Sequence, residues 1–389
     1  KGIDALSAFG MSHFSLYVWF LPVVGLLTVA MLRLFGKDAP MGMGAVFRAS
    51  RGEGADFPLR NVAFQFAGTW GAHLFCASVG REGAGVQIGA ALGGCFGRAI
   101  PLRDAPQVML VAGMAAGFSA LFGTPVCALF FALEVTVVGK LRLRAFTASL
   151  FASYAALFAA DLLGVTHILE HTEFVFRMSV SLFLRLFSFG ALCGLAGLFF
   201  CVARKYLSGF FSFCCPHGYV RAAVCGLLLA CLLFVSGGRY SGLGTNLIHA
   251  AVSGGTVYAW DWVIKLLFTA AFLSVGFVGG EVTTLFAAGA CLGSAVGALF
   301  GIPPEVAACL GYAALFGAAT NTLLAPLFLG TEMFGGAALP AMAVVCFAAY
   351  LFNFGKSVYQ QSIFESLGGR RLLPAKEGGF LRLPALLHR

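Results

Sequence analysis

The chain has 389 residues, 60% of them hydrophobic and only 11% charged, where soluble globular domains carry roughly a quarter of charged residues. With a mean hydropathy of +0.91 and apolar stretches from end to end, neither a soluble core with a polar skin nor a single signal peptide accounts for it. The net charge of +9 sits in short clusters between apolar runs (Lys140, Arg142 and Arg144; Arg204 and Lys205; Arg370 and Arg371), the pattern of cytoplasmic loop ends, so no nucleic-acid partner is expected.

A helix that crosses a bilayer needs about 20 apolar residues. In chain order the sequence predicts spans over 15–35, 62–79, 107–122, 145–163, 178–203, 219–236, 260–278 and 338–354. Shorter, glycine-rich apolar stretches lie at 84–97, 125–138, 284–300 and 322–335. These read as half-spanning helices, since non-helical backbone at membrane depth is tolerated where protein or a watery cavity surrounds it. The 51 glycines suit close helix packing and unwound turns. Most of the twelve cysteines lie inside apolar runs (Cys127, Cys193, Cys225, Cys231, Cys291, Cys346), and no C-x-x-C occurs. They read as small packing residues rather than a disulfide framework. Strand alternation does not persist, which argues against a barrel. The reading is an all-α, multi-pass protein of the cell membrane, surrounded by lipid. The chain starts at Lys1 rather than Met, and an N-terminal helix is expected upstream.

The sequence repeats itself. Val79–Gly83 reads V-G-R-E-G, and Val278–Val282 reads V-G-G-E-V, which sets Glu281 199 residues after Glu82. Further on, nine residues between Gly113 and Glu134 recur 198 residues later, between Gly311 and Glu332. Two blocks in the same order at nearly one offset indicate a duplicated membrane unit. The expected division is a first repeat over 1–206, a second over 219–366 and a basic tail over 367–389. Paired, glycine-interrupted segments in two halves point to a binding site at the repeat interface.

Those segments carry Glu82 and Glu281. Around the first, G-R-E-G-A-G-V-Q-I-G places three glycines within six residues just before an apolar helix. A helix N-terminus within the membrane favours an anion, because its free N–H groups and the macrodipole both attract negative charge. A carboxylate there competes with the anion, and protonation removes the competition. Glu82 is therefore read as the gating and proton-coupling residue, against the plainer reading of a pair with Arg81 at a helix start.

The motif G-R-E-G-x-x-V-Q-I-G resembles a hallmark of the CLC chloride channels and transporters, and further matches run over essentially the whole chain. The stretch Gly117–Glu134 is similar to the family's segment ending in an acid. Gly279–Thr284 falls at its second anion loop, and K-S-V-Y ending at Tyr359 resembles its late K-x-x-Y, whose tyrosine hydroxyl coordinates the anion. The resemblance implies a CLC-type inverted repeat of tilted and half-spanning helices, assembled as a homodimer with one anion path per subunit. It implies an anion pathway at Met41, Gly80, Arg81, Gly83, Val282, Thr283 and Tyr359.

Two departures narrow the resemblance. Met41, a thioether with no hydrogen-bond donor, stands where the family usually has a serine. The later loop reads Gly280–Glu281–Val282–Thr283 in place of the usual G-I-F. A methionine in the earlier loop combined with G-E-V-T in the later one is similar to the fluoride/proton antiporter branch. That branch also resembles this chain in lacking a second acid after Glu134, where Val135 stands. Glu281 and Thr283 either form a proton path or bond the anion directly; plainer readings are a helix-start acid for Glu281 and a first-turn hydroxyl for Thr283.

The expected function is secondary active exchange of fluoride for protons, exporting fluoride. The competing readings are a passive CLC-type chloride channel and a chloride/proton antiporter. An enzyme is not expected, because no Ser–His or Asp–Asp motif falls within a span. His167 and His171 are spaced for a shared metal on a helix, but no second ligand cluster accompanies them, so neither metal nor cofactor is assigned.

Overall fold

The structure is a computed structural model that describes residues 2–35, 42–53, 57–165, 178–359, 361–364 and 372–373. The first half runs α1 (Gly2–Ser12), α2 (Phe14–Tyr17), α3 (Leu21–Phe35), α4 (Met43–Ser50), α5 (Arg60–Leu74), α6 (Glu82–Arg98), α7 (Ala105–Phe122), α8 (Pro125–Glu134) and α9 (Phe146–Leu162). The second runs α10 (Val180–Cys214), α11 (Gly218–Val235), α12 (Thr245–Val252), α13 (Asp261–Val275), α14 (Val282–Val296), α15 (Pro304–Thr320), α16 (Leu324–Phe334) and α17 (Leu339–Phe352). From α3 to α9 and from α11 to α17, long and short helices follow in the same order. Short strands Val137–Val138, Ser362–Phe364 and Leu372–Leu373 form a small ribbon.

The two series are inverted with respect to each other. Glu134, at the end of α8, accepts from the Leu323 and Leu324 N–H groups at the start of α16, the latter at 3.0 Å. Glu332, in the last turn of α16, accepts from the Val126 (2.9 Å) and Cys127 (2.8 Å) N–H groups at the start of α8. Each helix thus has its first-turn donors satisfied by an acid from the far end of the other, so α8 and α16 lie antiparallel. Phe130 and Phe328, equivalent in the two halves, stack at 4.6 Å and 10° between them.

Small residues set the packing. α6 lies on α7 so closely that a Cβ on Gly89 would meet the Gly113 carbonyl, and one on Gly113 would meet Gly89. The second half repeats this with Gly289 and Gly311 in α14 and α15. Such approach gains dispersion where lipid offers no hydrophobic drive between helices. Cys127, Cys193, Cys225, Cys291 and Cys346 are buried in this packing, as expected.

Three expected spans are shorter than the apolar runs suggested. α5 and α13 have 15 residues each and α17 has 14, roughly 21–23 Å at 1.5 Å per residue. That is short of the roughly 30 Å hydrocarbon core. α5 stops at Leu74 and α13 at Gly276, a left-handed residue (φ 119), because the chain must unwind there to build the loops described below. Conversely α10, expected to end near 203, continues to Cys214 over 35 residues. α15 was not among the expected spans. Its alanine- and glycine-rich sequence has modest hydropathy, yet it is buried through most of its length.

Candidate functional site

The site lies where the two series meet. After α5 and after α13 the chain unwinds into loops that touch at Gly80 and Gly280. Their backbones exchange hydrogen bonds, Gly80 N–H to Gly280 O at 2.6 Å and Gly280 N–H to Gly80 O at 2.7 Å. Only glycines allow this approach: a Cβ on Gly80 would strike the Glu82 carboxylate, and one on Gly83 would come 3.1 Å from the Gly280 Cα.

From this contact α6 and α14 diverge, each with its N-terminus at the centre. The loops align at an offset of 200 rather than 199. Arg81 and Glu281 occupy the same N-cap position with nearly the same backbone angles (φ −107, ψ −11 and φ −106, ψ −14). The equivalent of Glu82 is therefore Val282, not Glu281. The shared glutamate in the sequence pulls the pairing one residue out of step, because identity of side chain is not identity of backbone position.

Glu82, the first residue of α6, is fully buried. Its Oε1 accepts a hydrogen bond from the Thr283 hydroxyl, in the first turn of α14. Its Oε2 has no partner among the described residues. The carboxylate thus sits at two helix N-termini whose dipoles favour a negative charge. Arg81 points away and pairs with Asp4 of α1. Val282 is buried in the main apolar core.

Two cavities lie beside the contact of Glu82 with Thr283. The larger, about 400 Å³, is lined by Gly42, Arg48, Gln87, Arg204, Glu281 and Tyr359, among others. The smaller, about 230 Å³, is lined by Asp4, Arg81, His249, Thr283 and Tyr312, among others. Tyr359 packs edge-on against Phe47 (5.7 Å, 90°) with its hydroxyl toward Glu281. Of the residues predicted from sequence, Glu82, Gly80, Arg81, Gly83, Glu281, Val282, Thr283 and Tyr359 come together here. Met41 lies outside the described residues. Its neighbour Gly42, at φ 85, donates its N–H to Gln87 Oε1 at 3.0 Å.

Several residues of the site escaped the sequence reading. Arg204, assigned to a loop end, lies within α10, faces the larger cavity and donates to Ser274 Oγ at 3.0 Å. Its signal was an arginine within reach of an unbroken apolar run. Lys265 is fully buried and donates to Ser78 Oγ (3.0 Å), Tyr240 O (3.0 Å) and Gly242 O (2.7 Å), which ties α13 to the Gly80 loop. A lysine in the middle of an apolar stretch is costly unless bonded this way, and could have been flagged on that ground. No group of three His, Cys, Asp or Glu suited to a metal occurs among the described residues; His167 and His171 lie outside them.

A charged carboxylate in this position occupies donors that would otherwise suit an anion. Once protonated or displaced it leaves two helix N-termini and the Thr283 hydroxyl free to receive an anion. The arrangement can therefore link anion movement to a proton.

Comparison with known proteins agrees with this geometry. A family model, voltage gated chloride channel, matches residues 24–353. A chloride/fluoride channel protein of Pseudomonas syringae pv. tomato is 35% identical over 354 residues, covering 88% of this chain and 77% of the relative. The crystal structure of a CLC-type fluoride/proton antiporter superposes with a TM-score of 0.91 at 39% identity, covering 94% of this chain and 93% of that one. A slow cyanobacterial Cl⁻/H⁺ antiporter shares the fold, with a TM-score of 0.78 at 18% identity over 92% of this chain and 91% of its own. The family match, the inverted repeat and helices long and apolar enough to cross a bilayer converge: this chain is a multi-pass integral membrane transporter of the CLC family.

Proposed function

We propose that the protein exchanges fluoride for protons across the membrane, with Glu82 as both gate and proton carrier. The observation that carries the reading is the bond from the Thr283 hydroxyl to Glu82. It joins the gate to the loop in which this chain departs from the usual chloride sequence. The relatives support it, since one is described as a fluoride/proton antiporter and another as a chloride/fluoride channel protein.

In this reading the charged carboxylate and the anion compete for the same donors. Fluoride, a small and strong hydrogen-bond acceptor, takes the Thr283 hydroxyl and the N–H groups of the two helix starts when Glu82 is neutral or swung away. Return of the charged carboxylate expels it. Glu281, Arg204 and Tyr359 line the larger cavity, where fluoride waits, and Met41 and Val282 exclude chloride.

The protein works as a homodimer. α9 and α17, equivalent in the two repeats, present large apolar side chains outward, among them Phe151 and Phe158 on one and Phe347 and Leu351 on the other. Paired across a two-fold axis they make a self-complementary face.

The test is flux from proteoliposomes, with fluoride, chloride and pH recorded together. Fluoride efflux that drives proton uptake under a fluoride gradient alone supports the reading. Fluoride or chloride flux without proton movement identifies a passive channel and overturns it.

A further inference from the structure

We propose that protons reach Glu82 from the larger cavity along the buried face of α5, through a file of water molecules held by Gln65, Thr69 and His73, apart from the anion's path past Tyr359. The inference rests on the coupled-exchange reading above and names the proton's route within it.

Gln65, Thr69 and His73 are spaced four residues apart, so their side chains lie one above another on one face of the helix, about 6 Å per step. All three are buried, at 3%, 1% and 0% exposure. All three carry polar atoms without a hydrogen-bond partner among the described residues: Gln65 Oε1, Thr69 Oγ1 and both ring nitrogens of His73. Buried polar atoms are ordinarily bonded, and where protein does not reach them an ordered water does.

Thr69 is the most telling. Four other helical hydroxyls turn back to the carbonyl four residues earlier, Thr28 to Val24 (2.8 Å), Ser274 to Ala270 (2.6 Å), Thr320 to Phe316 (2.8 Å) and Thr331 to Leu327 (2.8 Å), while Ser149 and Thr269, like Thr69, have no partner among the described residues. Thr69 makes no such bond, which leaves its donor and its lone pairs for something between the rungs.

The column has suitable ends. Gln65 opens on the larger cavity, and its Nε2 donates to Gln87 Oε1 at 2.8 Å while its own Oε1 has no partner among the described residues. At the other end His73 reaches the Gly80 backbone. Glu82 Oε2, the unpartnered oxygen of the gate, lies against the same glycine. His73 and the unpartnered oxygen of Glu82 thus flank one residue. The charged groups around His73 are Arg81 and Lys265, with Asp4 beyond them.

The transfer balances without a change of charge on the relay. One nitrogen of neutral His73 accepts a proton as the other releases its own, so the ring stays neutral with its tautomer exchanged. The released proton ends on Glu82 Oε2, which loses its negative charge. The first tautomer returns when water carries the proton from one ring nitrogen back to the other, with no net change of charge.

The second half supplies an internal comparison. At the same offset of 200, α13 carries Lys265, Thr269 and Leu273 at the positions of Gln65, Thr69 and His73, with Asp261 one turn earlier at that of Asn61. There the carboxylate and the ammonium are fully engaged, Asp261 by Arg239, Tyr240 and the Tyr258 N–H, and Lys265 as described. In α13 the charged members of the stripe are thus engaged and a leucine follows the unpartnered Thr269, whereas the stripe of α5 is uncharged and ends in a histidine.

The test uses the full chain in proteoliposomes, with fluoride and pH recorded. Thr69→Val should slow fluoride and proton movement together by about tenfold or more, because exchange cannot outrun the proton supply. Thr69→Ser should restore it, and His73→Phe should slow it as Thr69→Val does. Thr269→Val removes an equally buried, equally unpartnered hydroxyl from α13 and should leave both rates unchanged. The thermal midpoint of Thr69→Val should match or exceed that of the parent, since the lost hydroxyl had no protein partner. Near-native proton rates in Thr69→Val and His73→Phe would overturn the route, as would equal slowing by Thr69→Val and Thr269→Val. A parent protein that moves fluoride without protons would instead remove the exchange reading itself, and the route with it.

Discussion

Gly80 and Gly280 hold each other by two backbone hydrogen bonds of 2.6 and 2.7 Å, and this pair is where the two repeats join at the gate. The Glu82 carboxylate is seated on Gly80, so anything added to that Cα displaces the gate as well as the joint. Gly80→Ala places a methyl on Glu82 Oε2 and 2.8 Å from the Gly280 carbonyl. We expect a loss of about 1–3 kcal/mol from overpacking, read as a lower thermal midpoint, together with fluoride leak that no longer moves protons. Native stability with native coupling would show that the loops have more room than these contacts allow.

Glu82→Gln should abolish proton transport, because an amide does not titrate. It also removes the charge that expels fluoride, so fluoride turnover should fall with it while bound fluoride persists. Simultaneous fluoride and pH traces decide this. Proton movement at a near-native rate would move the carrier to another acid, with Glu281 the first to examine.

Thr283→Val keeps the shape of the side chain but removes the donor to Glu82 Oε1. A hydrogen bond to a charged group contributes about 1.5–3 kcal/mol, so fluoride turnover should drop by about tenfold to a hundredfold, with Thr283→Ser close to the parent. Equal effects of Val and Ser would reduce Thr283 to a packing role.

Met41→Ser with Val282→Gly should raise chloride flux relative to fluoride. Val282 is 2% exposed, so the glycine leaves a small cavity and costs stability as well; the ratio of the two fluxes, not either rate, is the measurement. An unchanged ratio in an active double variant would take both residues out of the selectivity filter.

Phe151 and Phe158 of α9 are 71% and 65% exposed in the single chain. Cross-linking in lipid bilayers should trap a dimer, and Phe151→Arg with Phe158→Arg should shift it to monomer. A monomeric parent would leave the apolar faces of α9 and α17 to lipid.

The fold was legible in the sequence at the level of its helices and their pairing, because glycine and alanine positions recur wherever two helices must touch. Gly113 and Gly311 are matched letters in the sequence, and in the structure each lies against a glycine of the neighbouring helix, Gly89 and Gly289. The position of Glu82 was legible too, since an acid between glycines before an apolar run marks a helix start, and Glu82 is the buried first residue of α6. Less legible was the register of the later loop, where Glu281 imitates Glu82 while standing one backbone position earlier. Arg204 and Lys265 were missed for a different reason. Their significance depends on what they reach across space, Ser274 in one case and Ser78 in the other, and hydropathy records only that a charge interrupts a run. The ends of α5 and α13 were overextended because unwound backbone at membrane depth is as apolar in composition as the helix that precedes it.

The exchange of caps between Glu134 and Glu332 bears on how the chain is made. During synthesis α8 emerges with its leading amides bare and nothing in its own half to quieten them, and its own terminal acid has nothing yet to hold. Both debts are settled only when α16 arrives, 199 residues after α8 begins. The first half is therefore an incomplete object in the bilayer until the second is threaded beside it. Two halves made as separate polypeptides should be recovered together or not at all.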